Sequence, residues 1–297
     1  MTSSIAARPR RSCLYMPGDK ARVLEKGKSL PADVIIFDLE DAVAPEAKAT
    51  ARAAVAEAVT SRGYGHREMV IRINGLDTEW GLDDLQAAVA AGPDAILAPK
   101  VIGGDDIDRL NDAMDRAGAP KTMGLWVMIE MPKAILNIQD IAEAVGRTRL
   151  NAFVMGTNDL AKEYRATPTP DRLAFQTALG MTLSAARAYD LTAIDGVFND
   201  IQNADGLRSE CEQGRILGFD GKTLIHPGQL DITNDVFSPA AEDVAQAKDI
   251  IAAFALTENA GKGVIKVNGK MTELLHLEEA KRIVGVASAI AAMATQS

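Results

Sequence analysis

Cysteine, histidine and aromatic side chains are scarce in this 297-residue chain, and the scarcities exclude whole classes of protein. Its two cysteines, Cys13 and Cys211, have neither metal-ligand spacing nor the density of a secreted disulfide scaffold. A reducing cytoplasm is the compartment expected. No window approaches the roughly 20 consecutive apolar residues that a bilayer span needs, and the late run "IVGVASAIAAMA" is short enough to read as a packed helix. Basic residues are in deficit: 32 Lys and Arg against 41 Asp and Glu give a net charge of −9, which argues against a nonspecific nucleic-acid surface. Acids are missing from "MTSSIAARPR", but no apolar segment follows as in a leader, so residues 1–10 read as a flexible tail.

What the chain does have is hydrophobic residues, 47% of the total, enough for a barrel-sized core. They fall into eight short runs: "SCLYMP" (12–17), "VIIFDLE" (34–40), "MVIRIN" (69–74), "AILAPK" (95–100), "GLWVMIE" (124–130), "LNAFVMGT" (150–157), "TAIDGVF" (192–198) and "GKTLIH" (221–226). Helix-like stretches such as the Ala-rich "EAKATARAAVAEAVTS" separate them. Eight strands alternating with helices within about 250 residues predict an α/β fold, a (β/α)8 TIM barrel over 11–238. A doubly wound open sheet is the second choice, since no G-x-G-x-x-G follows the first strand. After residue 238 the pattern changes to a helix (239–257), a Gly-rich link, a strand-like "VIKVNGK" and a last helix (277–294). This segment, 239–297, reads as a helical lid extension packed on the barrel or on a neighbour.

Charged residues cluster where these runs end. Asp38, Glu40 and Asp41 close the second run, Arg72 the third, Lys100 the fourth and Glu130 the fifth, while Asp159 follows the sixth, Asp195 lies in the seventh and His226 ends the eighth. In a barrel those ends share one face, where catalytic groups collect. Glu130 and Asp159 come from adjacent strands about 5 Å apart, so their oxygens can reach one hard cation, and with no Cys or His beside them Mg²⁺ suits better than zinc. The plainer reading makes both carboxylates helix N-terminal caps. Arg72 needs an anionic partner, either a ligand or simply Asp38, Glu40 or Asp41. Lys100 reads as a charge-balancing partner rather than a Schiff-base amine, because the surrounding carboxylates keep it protonated. His226, followed by Pro227, reads first as a structural hydrogen-bonder.

Taken in order, "LYMPGDKARVLEKG" (14–27), "FDLEDAVAPEAK" (37–48), "VIRIN" (70–74), "APKV" (98–101), "MIEMPKAI" (128–135), "GTNDLA" (156–161), "AIDGVF" (193–198) and "FDGKTLIHPGQ" (219–229) resemble the citrate lyase β-subunit-like branch of the HpcH/HpaI aldolase family. The resemblance covers nearly the whole chain. It implies a Mg²⁺-dependent carbon–carbon lyase acting on a 3-hydroxyacyl-CoA and a short keto acid, assembled as a homotrimer or hexamer. Glu130 and Asp159 then hold the metal, Arg72 holds the keto-acid oxyanion, and Asp41 is a further catalytic group. Tyr15, Lys20, Arg22 and Lys26 match the CoA-binding segment, with Lys100, Gly156, Asp195 and His226 also on the substrate side. Members carry an Asp in "GKM-x-D" that acts on the acetyl-CoA methyl group of a neighbouring subunit; here Glu273 stands in its place. Rival expectations are hydrolysis of the same thioester or a malate-synthase-like activity, a CoA-independent aldolase, and a non-catalytic barrel.

Overall fold

The computed structural model describes residues 8–294, which form two compact units, one spanning Arg10–Phe237 and the other running from Ser238 onward. The larger unit is a closed barrel of eight parallel strands: β1 (Ser12–Pro17), β2 (Val34–Asp38), β3 (Glu68–Arg72), β4 (Ala95–Ala98), β5 (Gly124–Ile129), β6 (Leu150–Met155), β7 (Thr192–Asp195) and β8 (Gly221–Leu224). Each pairs with its sequence neighbour, and β1 closes the ring on β8 with Cys13 opposite Thr223. The TIM-barrel architecture expected from the alternation is the one observed.

Strand alternation divides the core in two. Cys13, Val34, Ile36, Val70, Leu97, Trp126, Met128, Val154 and Ile194 fill the lumen, whereas the intervening residues, such as Leu14, Ile35, Ile71, Val127 and Ala193, pack outward against the helices. The lumen is therefore a packed core at its base and opens only at the C-terminal ends of the strands.

That base corrects one sequence expectation. Residues 1–7 of the anticipated tail lie outside the described residues, but Arg10 belongs to the barrel. Its guanidinium makes two 2.7 Å bonds to Glu68 and a 2.8 Å bond to Thr192, and it stacks 4.8 Å from the Trp126 ring. A cation paired at the start of β3 and capped by an indole is anchored, whatever the polarity of the residues around it.

The smaller unit contains a helix (Ala241–Ala255), an antiparallel hairpin of β9 (Val264–Val267) and β10 (Lys270–Glu273), and a 21-residue helix (Leu274–Ala294). The strand-like segment is thus a hairpin. Asn268 and Gly269, with φ of +48° and +83°, form its turn, as an Asn-Gly pair favours. Among the described residues no helix is long and apolar enough to cross a membrane.

Candidate active site

The open end of the lumen is a cavity of about 320 Å³ lined by Tyr15, Asp38, Asp41, Arg72, Met128, Glu130, Gly156 and Asp159, among others. Arg72 is its cationic wall. The residue shares lumen parity with Val70 and is 7% exposed. Its Nε and Nη2 donate to the two Asp38 oxygens at 2.7 and 2.6 Å, while Nη1 lies 2.8 Å from Glu40 and 3.6 Å from Asp41. The Tyr15 ring covers the guanidinium at 4.7 Å. Asp38 also accepts the backbone N–H groups of Glu40 and Ala42, so the chain after β2 wraps round one carboxylate. Arg72 thus touches all three acids that the salt-bridge reading offered. It also faces the cavity.

Glu130 stands opposite, at the junction after β5. Met131 caps the short helix Pro132–Leu136, and Gly156 caps the helix Thr157–Tyr164, neither with a side-chain capping bond. Glu130 and Asp159 are therefore not spent as helix caps. Instead both approach one cation: the Lys100 ammonium lies 3.2 Å from Asp159, 3.9 Å from Glu130 and 3.5 Å from Glu40. The Lys100 backbone N–H donates to Glu130 at 2.7 Å, from a residue held at φ +55°. Gly156 is what lets Glu130 sit there, since a Cβ on it would lie 2.5 Å from the Glu130 carboxylate.

Electrostatics follow from this crowding. Burial pushes the Glu130 carboxyl up to about 7, with Lys100 opposing and Glu40 and Asp159 adding to the shift. Glu40 is raised too, by burial set against Arg72. Lys100 loses some basicity to burial, but three carboxylates outweigh that and raise it overall. An amine held so firmly protonated is unsuited to Schiff-base chemistry.

A hard cation fits these donors. Two carboxylates, uncapped and ion-paired only to an ammonium, aim at one point, with only oxygen offered. Among the described residues no group of three or more His, Cys, Asp or Glu side chains forms a metal cage. The protein thus supplies a two-carboxylate site open to waters or substrate oxygens, the kind Mg²⁺ takes.

Other residues selected from the sequence fall elsewhere. Asp195 is one position out of phase with the lumen residue Ile194 and points into the helix layer. There it binds Arg172 at 2.7 and 2.8 Å and lies 3.6 Å from Lys222, which in turn donates to Glu210 at 2.6 Å. All its oxygen capacity goes to this buried network, so it is not a substrate group. Replacing Lys222, itself 0% exposed, by Met leaves Asp195 and Glu210 undercompensated, with an expected loss of about 3–5 kcal/mol of stability and unchanged KM, read by thermal unfolding and steady-state kinetics. His226 is exposed, and its Nδ1 accepts the Gly228 N–H at 3.1 Å in a capping box with Gln229. This capping bond is the structural contact that its His-Pro context suggested. Lys20, Arg22 and Lys26 lie exposed at the start of, and along, the helix Ala21–Gly27, with Lys20 3.8 Å from Asp19. Glu273 ends β10 in the smaller unit, where its N–H donates to His276. Sequence reading placed Asp38 and Glu40 on the catalytic face only as possible partners of Arg72; the lumen parity of Asp38 with Val34 and Ile36 was the signal for more.

An eight-stranded barrel whose mouth sets an oxygen-only carboxylate pair against a buried arginine has the architecture of an enzyme with room for a hard metal ion. The chain belongs to the HpcH/HpaI aldolase/citrate lyase family, whose model matches residues 11–227. It is 50% identical over 286 residues to a (3S)-malyl-CoA thioesterase of Cereibacter sphaeroides, covering 96% of this chain and 97% of that one. It is 35% identical to the citrate lyase subunit beta of Escherichia coli over 90% of this chain and 89% of the other. Among solved structures, the protein CitE from Mycobacterium tuberculosis in complex with magnesium, acetoacetate and coenzyme A superposes with a TM-score of 0.76 at 25% identity, covering 96% of this chain and all of that one. The family expected from the motifs is the family found.

Proposed function

We propose that this protein is a Mg²⁺-dependent enzyme of short 3-hydroxyacyl-CoA thioesters, with malyl-CoA as the type substrate, and that it breaks or forms the carbon–carbon bond between the keto-acid and acyl-CoA halves. The observation carrying this reading is the convergence of Glu130 and Asp159 on one cation across from Arg72. When bound, the metal supplies Lewis-acid polarisation of the hydroxyl or keto oxygen. The magnesium and coenzyme A held by the structural relative support the same assignment.

In cleavage, Asp41 at the mouth takes the hydroxyl proton, the bonding pair passes to the acyl-CoA half as an enolate, and glyoxylate remains. Arg72 steadies the negative charge of the acid. Glu273, reaching in from a neighbouring copy as the carboxylic acid, gives a proton to the enolate carbon, which becomes the methyl group, and solvent then takes the proton from Asp41 and restores one to Glu273. Lys20, Arg22 and Lys26 bind the CoA phosphates at the surface. This arrangement requires an oligomer, for which the proposal is a homotrimer or hexamer, and scattering on the purified protein measures it directly.

A second reading, hydrolysis of the same thioester to malate and CoA, is favoured by the relative named (3S)-malyl-CoA thioesterase. One assay separates the two. With malyl-CoA and Mg²⁺, cleavage yields acetyl-CoA and glyoxylate in equal amounts, hydrolysis yields free CoA thiol without glyoxylate, and EDTA stops either. Activity that survives EDTA removes the metal from the proposal.

A further inference from the structure

Two motif ends singled out in the sequence, Lys48 closing "FDLEDAVAPEAK" and Asn74 closing "VIRIN", take no part in the chemistry above. Both are buried, at 5% and 3% exposure. Lys48 opens the helix Lys48–Thr60, and its ammonium makes three bonds: to the carbonyls of Leu39 at 2.8 Å and Glu40 at 2.7 Å, and to the Asn74 side-chain oxygen at 2.9 Å. Asn74 donates from its amide to the same Leu39 carbonyl at 2.8 Å and to Asp84 at 2.6 Å. Arg52 then holds Asp84 at 2.7 Å.

A buried ammonium bonded to carbonyls and an amide, with no carboxylate in hydrogen-bond contact, is expensive to keep for packing alone. What it grips explains it. In the segment Leu39 to Ala42, the Glu40 and Ala42 N–H groups donate to the Asp38 carboxylate, while the Leu39 and Glu40 carbonyls accept from Lys48. With the backbone held from both sides, the Glu40 carboxylate lies 2.8 Å from Arg72 and 3.5 Å from Lys100.

We propose that Lys48, assisted by Asn74, is a positioning residue of the active site: it grips the carbonyls of Leu39 and Glu40 and thereby aims the Glu40 carboxylate at the two cations of the mouth. Lys48 touches neither substrate nor metal. Its effect on turnover passes through Glu40.

A double-mutant cycle tests this. Lys48→Met lowers kcat/KM for malyl-CoA about tenfold. In a Glu40→Gln background the same substitution costs nothing further, because the group it aims is already neutral. Independent, multiplying losses overturn the proposal, since a residue that only packs lowers activity regardless of the charge on residue 40. Should Lys48→Met not fold, Lys48→Gln, which keeps one donor group, enters the same cycle. The kinetic arm rests on the function proposed above, whereas a crystal structure of Lys48→Gln does not. The Glu40 carboxylate is expected to leave Arg72 in that structure, and a carboxylate still seated on Arg72 overturns the inference. Wild-type protein silent on malyl-CoA counts against the function, and the structural arm then decides the role of Lys48.

Discussion

Glu130→Gln and Asp159→Asn each lower kcat by about 10³-fold or more while the protein stays folded. A bound divalent ion contributes several kcal/mol to stabilising charge in a transition state, and about 4 kcal/mol corresponds to three powers of ten. The side-chain amide introduced by Glu130→Gln keeps an oxygen to accept the Lys100 N–H, so the local hydrogen bond survives and thermal unfolding is expected to shift little. Calorimetric titration with Mg²⁺ gives a second measure, since each variant loses most of its heat of binding. The wild type adds a pH signature. With the Glu130 carboxyl at about 7, a proton and the ion compete for it, so Mg²⁺ affinity falls by up to about tenfold for each pH unit below 7 and levels off above it. Near-full activity in either variant removes that residue from the ligand set.

Arg72→Lys is expected to cost about 10² to 10³-fold in kcat, the scale for losing one preorganised donor at a developing negative charge. Charge is conserved in this variant, but geometry is not. The guanidinium spans Asp38 with two nitrogens and reaches Glu40 with the third, and an ammonium cannot satisfy both and still face the cavity. Asp38 and Glu40 are then partly unpaired in a buried site, so the melting temperature falls by several degrees as well. Kinetics separate the two effects: measured well below the melting temperature, the fall in kcat persists. If kcat is retained while stability drops, Arg72 serves only to tie β2 to β3.

The barrel was legible because its signals are repetitive. Eight apolar runs at similar spacing leave few architectures, and a proline behind the fifth run, Pro132, opens a helix in the structure. Resolving the site was harder, since closeness to a strand end does not say which way a side chain points. Asp195 and Arg72 both end apolar strands, yet one faces the helices and the other the lumen, a difference of one residue in phase. Counting from Ile194 and from Val70 gives the right answer for each. The roles of Lys48 and Arg10 were not available by such counting. Their partners, Leu39 and Glu40 for one and Glu68 and Thr192 for the other, meet them only once helix and barrel have closed.

The guanidinium plug of Arg10 over Trp126 has a kinetic corollary. With the lower end stopped by an ion pair and packed indole, the lumen has, among the described residues, one doorway, the rim at the far ends of the strands. Two products sharing a doorway depart in order of depth. On the proposed function the acid fragment held by Arg72 is the inner one, so the coenzyme-bearing fragment is expected to leave ahead of it and, in the joining direction, the acid to enter first.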